Sequence, residues 1–319
     1  MQIKVLISFD LSEEYIEELR EDFPNIEFRV ADSHSEEELI EEVRDADVVF
    51  AGRFDGKMLM VAEKLRWIHC RGAGVDRLLA IPGLAESSII LTCSRGVHPA
   101  QASDHALALI LALTRKLHIF MRSQMERRWD RMLAVDELDG KTLGVIGLGS
   151  IGTEIARKAK CFGMTVIAIK KNPTSPPPFV DELLPPDCLG ELLTKSDFVV
   201  ISTPLTSKTR GMIGERELRI MKKKAYLINI ARGGVIREEA LIRALREGGI
   251  AGAGLDVFVD EPLPLKSELW DLKNVIITPH VAGETEQYLE KAIPIFYENL
   301  YRFINNQPMI NIVDKKAGY

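Results

Sequence analysis

The stretch LGVIGLGSIGTEIARKAKCFG, residues 143–163, decides the fold. Leu143 to Ile146 is a short apolar run of strand character, Gly147, Gly149 and Gly152 follow at GxGxxG spacing, and an amphipathic helical stretch begins directly after them. Glycines let a backbone turn tightly and come close to a pyrophosphate, whose charge is met by the helix's first amides and its dipole. Gly147, Gly149, Ser150 and Ile151 are therefore the expected contacts of a dinucleotide, against the competing reading of a glycine-rich turn with no ligand. A fold that prefers NAD ends its next strand in Asp or Glu, which accepts from the adenosine ribose hydroxyls. Here VIAIKKNP puts Lys170 and Lys171 at that point. Two ammonium groups cannot accept those bonds but can neutralise a 2′-phosphate, so NADP(H) is expected as the preferred cofactor, with NAD(H) as the alternative. The competing reading is two solvated surface lysines with relaxed specificity.

Working outward from this unit, strand candidates recur every two dozen or so residues. Thr142 to Ile146 ends at Gly147, Thr165 to Ile169 at Lys170, Phe198 to Ser202 at Thr203, Ala225 to Ile230 at Ala231 and Arg232, Gly252 to Leu255 at Asp256, and Val275 to Ile277 at Thr278, Pro279 and His280. In an open parallel sheet these carboxyl ends share one edge, where the ligand crevice forms. Before residue 100, β-rich runs (Ile3 to Ile7, Ile26 to Val30, Val48 to Ala51, Trp67 to Cys70, Ile89 to Thr92) alternate with amphipathic stretches, the rhythm of a second parallel sheet with crossover helices. Ser35, with Glu38 three residues on, reads as a capping box at one helix start. A single long helix is expected from about Pro99 through SDHALALILALTRKLHIFMRSQ, so apolar at its start that it suits a place between two domains or two subunits. The polar, turn-forming DELDGK, residues 136–141, then opens the new βα series, and a last helical stretch runs to about Phe303. The expected architecture is α/β, with two doubly wound parallel-sheet domains and a cleft between them: a flavodoxin-like substrate domain of residues 1–100 and 286–319, and a Rossmann cofactor domain of residues 101–285.

A chain of 319 residues exceeds what one ordinary core supports, in keeping with two domains. Its 46% hydrophobic and 28% charged residues are those of a globular protein. A net charge of −6 with mixed signs carries no basic stripe for nucleic acid, so none is expected as a partner. The amino terminus turns acidic without a basic leader, and the longest apolar run, Ala106 to Leu113, is far too short to span a bilayer. A cytoplasmic protein without a membrane partner is expected. Cys70, Cys93, Cys161 and Cys188 lack CxxC spacing, and buried reduced thiols rather than disulfides or a metal site are the plain reading.

Arg232 in NIARGGV, Glu261 in DVFVDEPLP and His280 in ITPHVAG each stand just past a strand end or in the loop beyond it. Hydride arriving at C2 of a 2-oxo acid leaves charge on the carbonyl oxygen, so a proton donor must stand beside it. His280 is the candidate donor, and Arg232 offers a planar, permanent charge for a carboxylate. Taken alone, His280 could merely satisfy backbone groups and Arg232 could be a surface residue. The motifs GLGSIG, INIARGGVI, AGAGLDVFVDEPLP and ITPHVAG, in this order, together with Gly72-Ala73-Gly74-Val75-Asp76 and Ser103-Asp104-His105-Ala106, resemble the D-isomer-specific 2-hydroxyacid dehydrogenases over almost the whole chain. Asp104 departs from the Glu common in relatives. The resemblance implies that Glu261, 280 − 261 = 19 residues before His280, binds the ring's other nitrogen, orienting it and favouring its protonated form. It further implies that the Ala73 and Gly74 amides bind the substrate carboxylate, that Asp256 holds the nicotinamide carboxamide, and that a homodimer forms. Thr203, Pro204, Thr209, Ile230, Ala231, His280 and Gly283 complete the expected cofactor contacts.

Within the family, the lysine pair and the lack of a C-terminal regulatory extension favour the glyoxylate/hydroxypyruvate reductase-like branch, reducing a small 2-oxo acid to the D-2-hydroxy acid or the reverse. A phosphoglycerate dehydrogenase-like NAD enzyme and a non-catalytic, nicotinamide-sensing corepressor-like protein are the alternatives. Formate dehydrogenases of similar fold carry glutamine where Glu261 stands, which argues against that reaction. The remaining histidines (His34, His69, His98, His105, His118) read as solvated or helix-packed, and Lys222 to Lys224 as a solvated helix end. Arg53 and Trp129 shape the pocket by family analogy, Trp129 from a neighbouring subunit, or else serve packing.

Overall fold

A computed structural model describes residues 2–32 and 34–319. The chain divides into two compact units, Met1–Val97 with Glu286–Tyr319 and His98–Thr285. Each is an α/β unit on its own sheet, and every strand pairing in both is parallel.

The first unit runs β1 (Ile3–Ile7), α1 (Glu13–Asp22), β2 (Ile26–Val30), α2 (Glu36–Val43), β3 (Val48–Ala51), α3 (Gly56–Val61), β4 (Trp67–Cys70), α4 (Asp76–Leu79) and β5 (Ile90–Cys93). The sheet order β2-β1-β3-β4-β5 is the flavodoxin-like one, reversing between β1 and β3. Central strands such as Val48–Ala51 are buried at every position because helices cover both faces, which is why they read as unbroken apolar runs. The Ser35 hydroxyl does cap α2, accepting from the Glu38 amide at 3.3 Å. His69 departs from the expectation of a solvated or helix-packed side chain. It lies on β4, wholly buried, with Nδ1 2.7 Å from Thr92 Oγ1 and Nε2 3.1 Å from Ser94 Oγ. Burial there pushes its pKa down to about 3.

The second unit opens with α5 (Pro99–Thr114) and α6 (Leu117–Met125), then β6 (Thr142–Ile146), α7 (Ser150–Lys160), β7 (Thr165–Ile169), β8 (Glu182–Leu184), α8 (Leu189–Lys195), β9 (Phe198–Ile201), α9 (Glu215–Ile220), β10 (Tyr226–Asn229), α10 (Glu238–Arg246), β11 (Gly252–Leu255) and β12 (Val275–Ile277). The final helix, α11 (Tyr288–Ile304), belongs to the first unit, where Phe296 stacks on Phe50 with ring centroids 4.2 Å apart. Three expectations need correction. The long helix from Pro99 is two helices, because Lys116 sits in the left-handed region at φ +56 and its Nζ reaches the Tyr226 hydroxyl at 2.7 Å. The second sheet has seven strands rather than six, in the order β12-β11-β10-β9-β6-β7-β8; the extra one, β8, is a three-residue edge strand. Nor are the thiols uniformly buried: Cys93 is, Cys70 and Cys188 are half-buried and Cys161 is exposed. α5 packs within its own unit, with Ala106, Leu107, Leu109 and Ile110 against Leu143, Val145, Ile155 and Ala156. The strand order reverses between β6 and β9, so the β6 loop lies at the switch point where such sheets bind ligands.

Candidate active site

β6 delivers the chain to Gly147, whose amide, with that of Leu148, donates to the Ile169 carbonyl at 3.1 and 2.9 Å. Gly147 has φ +103, and a Cβ there would stand 2.9 Å from Thr203 N and 3.0 Å from the Ser202 carbonyl. A Cβ on Gly152 would run into the Gly147 carbonyl oxygen. The turn itself requires both of these glycines. Gly149 is different: its φ is −87 and nothing lies within 4 Å of where its Cβ would be, so its lack of a side chain serves only something arriving from outside. It caps α7, whose first residues, Ser150 and Ile151, present the helix's unpaired amides and the positive end of its dipole. This cradle fits a pyrophosphate. On the neighbouring strand, β7 runs straight into Lys170 and Lys171, both exposed, at the position that reads the adenosine ribose. Thr203 and Pro204 follow β9, and the Thr209 hydroxyl donates to the Pro204 carbonyl at 2.6 Å while accepting from the Thr206 amide at 2.8 Å, so it braces that loop.

Adjacent strands β10, β11 and β12 present the candidate catalytic side chains. His280 and Glu261, 19 residues apart in sequence, meet with Nδ1 2.8 Å from Oε2. The other carboxylate oxygen accepts from the Phe258 amide at 3.1 Å, which fixes the carboxylate and leaves the His280 ring oriented with Nε2 facing away from it. The carboxylate is 17% exposed and the imidazole 40%, an arrangement of anchored base partner and accessible ring. Arg232 follows β10 in extended conformation, half-buried, and its Nη1 donates to the Ala231 carbonyl at 2.7 Å. Its loop is pressed against the loop of Glu261, since a Cβ on Gly233 would strike the Phe258 backbone. Asn229, absent from the sequence reading, holds this turn: Nδ2 donates to the Arg232 carbonyl at 3.0 Å and Oδ1 accepts from the Ala231 amide at 3.1 Å. A polar residue closing the apolar run YLIN was the available signal.

Asp256, wholly buried at the end of β11, grips the His280 loop. Its Oδ1 accepts from the Thr278 hydroxyl at 2.6 Å and the Val281 amide at 2.9 Å, and Oδ2 from the Ala282 amide at 2.9 Å. Gly283 follows, its carbonyl accepting from Gln101 Nε2 at 3.2 Å. Ile230 and Ala231 are half-buried past β10. In the first unit, Ala73 and Gly74 lie in the bend after β4, which the Ser94 amide steadies by donating to the Cys70 and Gly72 carbonyls at 3.2 and 3.1 Å. Arg53, past β3, pairs with Glu36 and Asp55 at 3.6 and 3.9 Å, and Trp129 is 94% exposed. Among the described residues, no group of three or more His, Cys, Asp or Glu is placed to hold a metal ion, and no helix is long and apolar enough to cross a membrane.

Residues 107–282 match the family model for the NAD-binding domain of D-isomer specific 2-hydroxyacid dehydrogenases. A glyoxylate reductase of Thermococcus gammatolerans is 38% identical, over 99% of this chain and 97% of its own. Among solved structures, a D-isomer specific 2-hydroxyacid dehydrogenase of Xanthobacter autotrophicus in complex with NADPH and MES superposes with a TM-score of 0.85 at 30% identity, covering 100% of both chains. An NADPH-dependent glyoxylate/hydroxypyruvate reductase of Sinorhizobium meliloti, in complex with NADP and sulfate, gives 0.84 at 27% identity over 99% of this chain and 100% of its own. The match to the family model over residues 107–282 and the 38% identity to a relative over nearly the whole of both chains show that the chain belongs to the D-isomer specific 2-hydroxyacid dehydrogenase family.

Proposed function

We propose that the protein reduces a small 2-oxo acid of the glyoxylate or hydroxypyruvate type to the D-2-hydroxy acid, with NADPH preferred over NADH. The carrying observation is the 2.8 Å His280–Glu261 pair standing at the same sheet edge as the Gly149 cradle. When bound, the reduced nicotinamide supplies the hydride that reaches C2. His280, held through Nδ1 by Glu261, donates the proton at Nε2 to the oxygen on C2. Arg232 receives the substrate carboxylate. Lys170 and Lys171 support the preference for a 2′-phosphate, as do the NADPH and NADP bound by the two solved relatives. The reductase reading ranks above a phosphoglycerate dehydrogenase-like one, because the glyoxylate reductase of Thermococcus gammatolerans is matched over 97% of its own length, whereas two relatives named D-3-phosphoglycerate dehydrogenase are matched over only 59% of theirs.

A cytoplasmic homodimer is part of the proposal. The exposed apolar series Met121, Met125, Trp129 and Met132 is what a second copy would cover, and no two of the four cysteines form a disulfide. Sedimentation of the purified protein checks the oligomer, with a monomer at micromolar concentration as the opposing result. Activity is tested by a panel of glyoxylate, hydroxypyruvate, pyruvate and larger branched or aromatic 2-oxo acids, each with NADPH and NADH. Turnover is expected to be highest with the two smallest polar acids and NADPH. Absence of turnover across the panel would favour the binding-protein alternative.

A further inference from the structure

The geometry points to His105, on α5, as a positioning residue for the acid/base loop, acting on His280 through Thr278 and Asp256. The inference rests on the reading of His280 as proton donor. His280 itself needs holding: its φ of +55 is a left-handed conformation that a side chain with a Cβ adopts at a cost of about 1–2 kcal/mol. Glu261 holds the ring, and Asp256 holds the backbone turn beneath it. The Asp256 carbonyl accepts the His280 amide at 2.8 Å, and the Asp256 carboxylate accepts from residues 278, 281 and 282 around it. Where that carboxylate points therefore helps set the backbone from which the His280 ring reaches Glu261.

His105 faces this carboxylate from α5. Its Nε2 is 2.9 Å from Thr278 Oγ1 and 3.5 Å from Asp256 Oδ1, and its side chain is only 21% exposed. The direction of the chain follows from proton counting. Thr278 has one hydroxyl proton, and the 2.6 Å contact to a charged acceptor takes it. Thr278 Oγ1 must then accept from His105, so Nε2 of His105 carries a hydrogen. The relay reads His105 Nε2–H to Thr278 Oγ1–H to Asp256 Oδ1, three side chains brought together from α5 and the ends of β12 and β11. A donor at its head polarises the Thr278 hydroxyl and keeps Oδ1 turned toward residues 278 and 281. Without it, a half-buried hydroxyl oxygen loses its donor, the hold of Thr278 on Oδ1 loosens, and the strained turn at His280 shifts. Displacing a proton donor by a fraction of an ångström to about 1 Å costs roughly ten- to a hundredfold in rate while leaving binding largely intact.

The test uses the full-length enzyme with NADPH and glyoxylate. His105→Leu removes the donor; His105→Gln keeps an N–H near Nε2; Thr278→Val cuts the relay in its middle. His105→Leu is expected to lower kcat about 10- to 30-fold, with KM for glyoxylate and Kd for NADPH within about threefold of the parent. His105→Gln should restore kcat to within about threefold, and the Leu/Val double variant should lose no more than either single one. A kcat for His105→Leu within twofold of the parent overturns the inference, as does a loss confined to NADPH affinity, or a folded His105→Gln no better than Leu. If His105→Leu does not fold, Thr278→Val decides alone: the same fall in kcat supports the relay, and unchanged kcat overturns it. His280→Ala, measured beside them, separates the two layers. Turnover persisting in His280→Ala sinks the proton-donor reading itself, whereas its loss beside a normal His105→Leu sinks only the relay.

Discussion

Gly149→Ala should separate cofactor binding from folding in a single substitution. Nothing lies within 4 Å of the new Cβ and φ is an ordinary −87, so the folded chain accepts the methyl group. Alanine is a poorer helix cap than glycine, but it also lowers the entropy of the unfolded chain, and the two effects nearly cancel to within about 1 kcal/mol. The melting temperature of this unit should therefore stay within about 3 °C of the parent. Gly147→Ala contrasts with it: φ +103 together with contacts of 2.9 and 3.0 Å to the Thr203 and Ser202 backbone should remove about 2–4 kcal/mol, roughly 5–15 °C. For NADPH the order reverses. A methyl group in the open space at the start of α7 lifts the pyrophosphate away from one or two charge-assisted hydrogen bonds, about 2–3 kcal/mol, or roughly 30- to 150-fold in Kd. Fluorescence titration with NADPH and thermal melts of both variants supply the two readouts. Gly149→Ala binding NADPH within threefold of the parent would refute the reasoning, as would a melting temperature as low as that of Gly147→Ala.

Other consequences can be checked with similar means. Replacing Lys170 and Lys171 together by alanine should lower the ratio of kcat/KM for NADPH over NADH about 10- to 100-fold, chiefly through NADPH, and an unchanged ratio would show that neither ammonium meets the 2′-phosphate. Arg232→Lys keeps the charge but loses the planar fork, so KM for the 2-oxo acid should rise and kcat fall, together costing about a hundredfold in kcat/KM; a loss under threefold contradicts its role. His69, with a folded pKa of about 3 against an ordinary 6.5, stays neutral in the fold while the unfolded chain takes up a proton. Its contribution is complete above pH 6.5 and declines as the pH falls toward 3, by up to about 1.4 kcal/mol per unit. Urea unfolding from pH 7 to 5 should thus weaken the parent more than His69→Gln, and parallel curves would contradict the assignment.

What the sequence revealed, and what it hid, follows from the range of the interactions involved. The cofactor cradle was legible because strand, glycine turn and helix are contiguous, and the strand-end residues because a parallel sheet collects carboxyl ends along one edge. β8 was not: three residues, two of them only half-buried, following the loop Pro173 to Pro178, give no period to read. The break between α5 and α6 carries no glycine or proline at Arg115–Lys116; it is held by Lys116 reaching Tyr226, 110 residues away. His105 reads as an ordinary helical histidine for the same reason, since Thr278 lies 173 residues downstream. His69 was misjudged because its partners, Thr92 and Ser94, come from the neighbouring strand rather than from the apolar run that contains it. The placement of side chains at their own strand ends was legible, while contacts completed by a distant hydroxyl were not.

The most direct measurement is NADPH oxidation by glyoxylate and hydroxypyruvate under saturating conditions, for the parent enzyme and for His280→Ala, with NADPH affinity determined on both. The account predicts measurable turnover in the parent, a loss of at least about a thousandfold in kcat for the variant, and NADPH Kd values within about threefold of each other. Equal turnover in the two proteins would contradict it.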